Sequence, residues 1–246
     1  MNKFKDKSVL ITGGGTGVGA DMALAFAKRG ARVMIGGRRD APLRAVAEAD
    51  PAISWQVCDV TCEEDVAALF EAAGRVDIAI ANAGQADSNP LIKVEKSDWD
   101  RLIAVNLTGV YLTYRLAARQ MADGGRIMSV ASMAGLTGLA YAAPYTAAKH
   151  GVVGLTKALA LELAPRAITV NAICPGYLDT ELTDGSVAKI AASTGMSEDK
   201  ARAILAGHNP MKRLIRVDEV TSAALWLASQ GASSVNGQAI AITGGT

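Results

Sequence analysis

From end to end the chain alternates short apolar runs with longer stretches of helical periodicity. Ser8-Val9-Leu10-Ile11-Thr12 is the first run, stopped by glycines, and Ala20 to Lys28 then reads as a helix. Arg32 to Ile35 and Ile53 to Val57 predict the second and third strands. Thr61-Cys62-Glu63-Glu64 has the form of a capping box opening a helix that carries Val66, Leu69 and Phe70. Val76 to Ala81 predicts a fourth strand, and Ser97-Asp98-Trp99-Asp100 opens a long helix running toward Met121. Arg126 to Val130 and Ile168 to Ile173 predict further strands with a helix between them, and Ala239 to Ile242 the last. Apolar strands each followed by a helix require a parallel sheet covered on both faces. Right-handed crossovers make it doubly wound. The expected class is therefore α/β.

Two segments depart from this rhythm. From His150 to Ala164 only Lys157 and Glu162 are surely charged, and Leu155, Leu159 and Leu163 share one face. A helix apolar nearly all round is expected to be buried nearly all round, with the sheet on one side and a partner subunit on the other. Tyr177 to Arg213 is rich in Gly, Ser and Lys and lies between two strands. It reads as a mobile lid over a substrate. No linker, repeat or composition break divides residues 1–246, so one domain is expected.

Composition narrows the function classes. Of 246 residues half are apolar and a fifth charged, which excludes disorder. With 25 basic against 24 acidic residues there is no electrostatic footprint for nucleic acid or an anionic membrane. Cys58, Cys62 and Cys174 form neither a disulfide framework nor a zinc motif, and no His/Asp/Glu cluster suggests a metal. The opening apolar run is too short for a signal peptide. The uncharged run Ile127 to Ala148 is long enough to span a bilayer, but Gly135, Gly138 and Pro144 break it into a strand, a loop and a helix start. A cytoplasmic protein is expected.

Three motifs carry chemistry. Thr12-Gly13-Gly14-Gly15-Thr16-Gly17-Val18-Gly19 follows the first strand and opens a helix. Such glycines let the backbone approach a pyrophosphate, whose charge then sits at the helix N-terminus. The Lys-Ser/Thr of a nucleotide-hydrolysing loop is absent, as is a Gly-x-Ser-x-Gly elbow. After the second strand, Gly37 stands where an acid would hold an NAD ribose, and Arg38 and Arg39 follow. Guanidinium groups suit a 2′-phosphate, so NADP is preferred, with NAD the alternative and Asp40 able to swing back to a ribose. Tyr145 and Lys149, at i and i+4, share one helix face. A neighbouring ammonium is expected to lower the phenol pKa and tune it as a proton donor. Ser132, just past a strand, places a hydroxyl where it could polarise a carbonyl. His150 and His208 lack the partners of a nucleophilic triad, and Trp55, Trp99 and Trp226 read as core or interface residues.

Together with Asn82-Ala83-Gly84, Asn106 and Pro175-Gly176, these motifs stand in the order and spacing of the short-chain dehydrogenase/reductase family, which the whole chain resembles. The resemblance implies a Rossmann-type fold and assigns roles residue by residue. Gly13, Gly17 and Gly19 would form the pyrophosphate turn, with Gly15, Thr16 and Val18 beside them. Asp59, with Val60 next to it, would contact adenine. Asn82, Ala83 and Gly84 would line the cofactor site, and Pro175, Gly176 and Thr180 would lie at the nicotinamide end. Asn106, Ser132, Tyr145 and Lys149 would be the catalytic tetrad, Asn106 holding a relay water and Lys149 also holding a ribose. Ala81 replaces the usual first Asn, and Thr16 stands where many NADP-dependent relatives carry a basic residue.

The implied reaction is reversible transfer of hydride between NAD(P) and a ketone or secondary alcohol, a small-molecule substrate. In the lid, Ala188, Ile190, Met196, Ile204 and Leu205 stand beside Lys189, Lys200, Arg202, Lys212 and Arg213. An apolar pocket ringed by cations suits an acyl thioester on a phosphorylated carrier, the alternative being that these cations are a solvated face, and the chain is similar to 3-ketoacyl and polyketide ketoreductases. A small cyclic or aromatic ketone is the alternative substrate, and a non-catalytic dinucleotide-binding subunit the alternative function. The family habit and the apolar helix imply a homotetramer, with a dimer as runner-up.

Overall fold

The computed structural model describes residues 3–245. Seven strands form one parallel sheet: β1 (Ser8–Thr12), β2 (Arg32–Gly37), β3 (Ile53–Val57), β4 (Ile78–Ala81), β5 (Arg126–Val130), β6 (Thr169–Pro175) and β7 (Ala239–Ile242). Their order across the sheet is β3-β2-β1-β4-β5-β6-β7. The helices are α1 (Gly17–Ala27), α2 (Asp40–Glu48), α3 (Glu63–Ala73), α4 (Lys96–Ile103), α5 (Gly109–Gln120), α6 (Ala143–Leu163), α7 (Glu181–Thr194), α8 (Glu198–His208) and α9 (Val217–Leu227). This is the Rossmann-type doubly wound sheet that the apolar strands demand.

The pleat sorts β1 between two cores. Leu10 joins Ile127 and Val170 against Leu69, Phe70 and Tyr114 on one face. Val9 and Ile11 join Ile80 and Ile173 against Met22, Phe26 and Val220 on the other. Burying each such side chain contributes about 1.5–3 kcal/mol, which is why the central strands tolerate so few polar residues. β1 lies between β2 and β4, so the crossovers diverge at this point. The loops after β1 and β4 separate there and open a crevice at the carboxyl edge of the sheet.

Several expectations need correction. Thr61 does not cap α3, because its hydroxyl donates to Asp59 Oδ1 at 2.8 Å and its backbone N–H to the same oxygen at 2.9 Å. The carboxylate two residues back holds Thr61 to its own turn, and the N-cap is Cys62, whose thiol donates to Glu64 and makes no capping bond. Ser97 lies inside α4, whose N-cap is Glu95. The long helix toward Met121 is interrupted by a π-helical turn, Ala104–Thr108. Helix α6 is not buried all round in the single chain: Gly154, Lys157, Ala158 and Leu161 form an exposed stripe. Apart from these corrections, residues 177–213, expected to form a lid, carry α7 and α8, which close a small core of their own around Val187, Ala201 and Leu205. Among the described residues no helix is long and apolar enough to cross a membrane.

Candidate active site

The crevice is a cleft of about 1030 Å³ at the carboxyl edge. Its floor is the turn after β1. Gly13 takes a φ of +67°, and a side chain there would come within 2.8 Å of the Ala83 Cα. Asn82 binds this turn to the β4 loop, its Nδ2 donating to the carbonyls of Thr12 at 3.1 Å and Gly13 at 3.0 Å. Thr12 Oγ1 in turn accepts the backbone N–H groups of Asn82 and Ala83. Helix α1 starts here with no side-chain cap and no acid in its first turn. Its unpaired N–H groups and positive dipole end therefore suit an anion in the cleft.

Gly13, Gly15, Thr16, Gly17 and Val18 all line the cleft, whereas Gly19 does not. A Cβ on Gly19 would stand 2.1 Å from the Gly13 carbonyl oxygen and 2.5 Å from Asn82 Nδ2. Gly19 lets α1 pack against the turn rather than forming part of its surface. We expect Gly19→Ala to cost about 1–3 kcal/mol by overpacking and to lower the urea midpoint. Gly207→Ala, in open space on α8, is expected to keep or raise it. Equal midpoints for the Gly19 variant and the parent would contradict the packing role.

Gly37, Arg38, Arg39, Asp59 and Val60 form the far wall. Arg39 makes a 3.7 Å ion pair with Glu181 of α7, both side chains well exposed. Arg38 forms no ion pair among the described residues. The Asp59 carboxyl is held below its usual range, first by the Thr61 N–H and also by Arg38 nearby. Asp40 does not line the cleft; its carboxylate takes Arg44 at 3.0 Å, one turn along α2. That pairing disfavours the alternative in which Asp40 reaches a ribose.

At the other end Asn106, Ser132, Tyr145 and Lys149 converge on the same cleft, with Asn82, Ala83, Gly84, Pro175, Gly176 and Thr180. The π-helical turn carries Asn106, which is fully buried. Its Nδ2 donates to the Gln85 carbonyl at 2.9 Å and the Leu102 carbonyl at 3.0 Å, and its Oδ1 accepts the Gln85 N–H at 3.1 Å. Both amide hydrogens are committed, so a relay water could meet only its oxygens. Ser132 ends the loop from β5, and its Oγ accepts the Ala134 N–H at 3.1 Å, fixing the start of the next turn. That leaves the hydroxyl proton for another acceptor.

Tyr145 and Lys149 stand one turn apart on α6, with Nζ 5.6 Å from the ring centre. Lys149 is buried and donates to the Val130 carbonyl at 3.0 Å. Burial brings its pKa down to about 8. The phenol departs from expectation. Burial pushes the Tyr145 pKa up, with the Ser132 hydroxyl opposing, and the ammonium does not set the direction. Desolvation outweighs a partner more than a hydrogen bond away. The group is thus an acid that stays protonated at neutral pH. Cys174 lies close enough for Lys149 to oppose the upward push of burial on its thiol.

The cations of residues 177–213 need a second correction. Of the five, only Lys189 lines the cleft. Arg202 is taken by Asp179 and Asp184, Arg213 by Glu219, and Lys212 by the Gly207 carbonyl. Ala188, Met196 and Ile204 also lie off the lining, while Ile190 and Leu205 lie on it with Leu139, Ala140 and Leu182. Residues on α7 and α8 alternate faces every few positions, so a segment's composition cannot say which of its charges look inward. Sequence reasoning missed Gln85 and Asp87, which also line the cleft. Their signal was available: polar residues directly after Asn82-Ala83-Gly84, at the carboxyl end of a central strand.

A family model described as Enoyl-(Acyl carrier protein) reductase matches residues 13–246. The cis-4-hydroxycyclohexanecarboxylate dehydrogenase of Sinomonas cyclohexanicum is 39% identical over 98% of this chain and 97% of its own length. An actinorhodin polyketide ketoreductase crystallised with NADPH is similar with a TM-score of 0.89 and 33% identity, covering 98% of this chain and 97% of that one. A 3-ketoacyl-(acyl-carrier-protein) reductase from Brucella melitensis, complexed with NADH, is similar at 0.87 and 36%, covering 98% of each chain.

Proposed function

The chain belongs to the short-chain dehydrogenase/reductase family, and we propose that it catalyses reversible hydride exchange between a nicotinamide dinucleotide and a ketone or secondary alcohol. The observation that carries this reading is the convergence of Asn106, Ser132, Tyr145 and Lys149 on the cleft floored by the glycine turn. The floor fits the cofactor: Gly13, Gly15 and Gly17 bring backbone without side chains to the cleft, and the start of α1 offers uncapped donors to a pyrophosphate. When bound, the dinucleotide supplies the hydride.

The protein's own work is at the substrate oxygen. Ser132 and Tyr145 donate hydrogen bonds to it, stabilising the negative charge that develops. Tyr145 delivers the proton, and its raised pKa keeps that proton available. Lys149 holds the ribose and, as a cation, favours the phenolate left behind. Asn106 fixes the Gln85 loop beside them. For the reverse reaction Tyr145 acts as base.

NADP is the preferred cofactor, supported by Gly37 in place of an acid and by Arg38 without an ion-pair partner among the described residues. Within the substrate class we propose a 3-oxoacyl or 3-hydroxyacyl thioester, supported by the ketoacyl reductases among the relatives and the apolar lining of Leu139, Leu182, Ile190 and Leu205. A small cyclic ketone is the second reading. It is favoured because the lid's cations, Lys189 apart, do not line the cleft and so offer a phosphorylated carrier little. The exposed stripe on α6 supports a homotetramer, and the three unpaired cysteines suit a reducing cytoplasm.

The test is reduction of acetoacetyl-CoA by purified protein with NADPH and with NADH under identical conditions. Faster turnover with NADPH is expected. Faster turnover with NADH would overturn the cofactor preference. No turnover with either, in protein shown to bind a dinucleotide, would move the substrate to the cyclic ketone.

A further inference from the structure

The lid has few attachments to the body of the molecule, and one crosses the substrate end of the cleft. Lys189, on α7, reaches Asp87 in the loop after β4, Nζ to Oδ1 at 2.5 Å. The other oxygen of Asp87 takes Arg101 of α4 at 3.2 Å. Arg101 also donates to Gln85 Oε1 at 3.0 Å and pairs with Asp98 at 3.0 Å. Gln85 in turn is clamped through its backbone, N–H and carbonyl, to the side chain of Asn106. A continuous set of polar contacts thus runs from the lid, through one carboxylate, to the loop that meets a residue of the proposed tetrad.

The groups around Asp87 make this arrangement specific. Lys189 is the one lid cation that lines the cleft, and Asp87 lines it too. The Ser88 backbone N–H also donates to Asp87 Oδ1, at 2.8 Å, which fixes the carboxylate's orientation on its own loop. Three donors from three places therefore converge on one group, and they hold its carboxyl below its usual range despite partial burial. Eight residues back along α7, Glu181 meets Arg39 at 3.7 Å across the cofactor end. That pair is longer and more exposed, and exposed pairs contribute little. The close contact is the one beside the substrate.

We propose that Asp87 is a positioning residue for the reaction: it clasps α7 over the substrate end of the cleft through Lys189 and, through Arg101, steadies the loop held by Asn106. This deepens the ketone-reductase reading and rests on it. The two halves of the role separate by variant. Lys189→Met releases the lid and leaves the loop, so KM for the ketone rises while kcat stays near the parent's. The rise expected is about three- to fivefold, the worth of one part-exposed ion pair. Asp87→Asn weakens both attachments, so KM rises similarly and kcat falls as well. Lys189→Arg keeps a cation in reach and restores the parent's KM.

The experiment measures kcat and KM for all three variants, with acetoacetyl-CoA and with a cyclic ketone. It also measures limited proteolysis at residues 195–197, between α7 and α8, in each variant holding the same dinucleotide. Faster cleavage in Lys189→Met, but not in Lys189→Arg, supports the clasp. It needs no turnover, so it separates failure of the clasp from failure of the reductase reading. Parent-like KM and parent-like cleavage in both Lys189→Met and Asp87→Asn would overturn the proposal. So would equal losses in Lys189→Met and Lys189→Arg, because a clasp made by charge must survive the exchange of one cation for another.

Discussion

Tyr145→Phe is expected to lower kcat for ketone reduction by about 10²–10⁴-fold while leaving the KM for the dinucleotide near the parent's. The change removes one oxygen and keeps the ring, so packing against the cleft wall survives and the unfolding midpoint should move little. What is lost is both the proton and one of the two donors aimed at the substrate oxygen. Ser132 remains, and its Oγ is already oriented by the Ala134 N–H, so some electrostatic stabilisation persists. Residual turnover well above the uncatalysed rate is therefore expected, rather than none. Because burial raises the pKa of this phenol, the parent's reduction rate should hold across neutral pH without a phenol titration there. Turnover of the Phe variant within about threefold of the parent would remove Tyr145 from the acid role and take the mechanism with it.

How much of this was legible beforehand differs by kind of signal. The strands could be read because each is a nearly unbroken apolar run, and crossovers of fixed hand make the sheet doubly wound; the strand order comes from the structure. Gly13 and Gly17 could be read because a tight turn and a positive φ leave a mark at fixed spacing. Gly19 belongs to the same spacing but serves packing, and only the distance to the Gly13 carbonyl separates the two uses. Asn106 was placed by its resemblance alone. The π-helical turn that presents it has no periodic signature over so few residues. The direction of the Tyr145 shift could not be read at all, since it is a contest between desolvation and a neighbouring charge that spacing cannot decide. The cations of residues 177–213 could not be sorted for a related reason: Asp179 and Asp184 hold Arg202 and Glu219 holds Arg213, and composition cannot tell which charges turn toward a cleft.

Lys149→Met brings the tension between stability and activity to one side chain. A buried amine whose pKa lies at about 8, against 10.5 in an exposed lysine, burdens the folded state wherever it is protonated. Below pH 8 both folded and unfolded chains carry the proton, and the burial cost is felt in full. Between about pH 8 and 10.5 the unfolded chain binds more proton than the folded one, so stability rises with pH through that window. The separation of the two values corresponds to about 3 kcal/mol. Methionine fills a similar volume without the charge, but it leaves the Val130 carbonyl without the ammonium it accepts from, which costs about 1–3 kcal/mol. The variant should therefore be as stable as the parent at pH 7, or more stable by about 1–2 kcal/mol, the difference between these opposing effects. Its advantage should shrink as pH climbs toward 10. Its kcat for ketone reduction should meanwhile fall by about 10²-fold or more, since no cation remains to favour the Tyr145 phenolate. Urea unfolding of parent and variant at pH 7 and pH 10, beside turnover at pH 7, checks both halves. A variant clearly less stable at pH 7 would mean that the amine is held by compensating contacts and carries no burial cost. A variant that keeps its turnover would mean that Tyr145 works without a neighbouring cation. In the expected outcome the protein keeps a destabilising lysine in its core because the chemistry at Tyr145 requires a charge there.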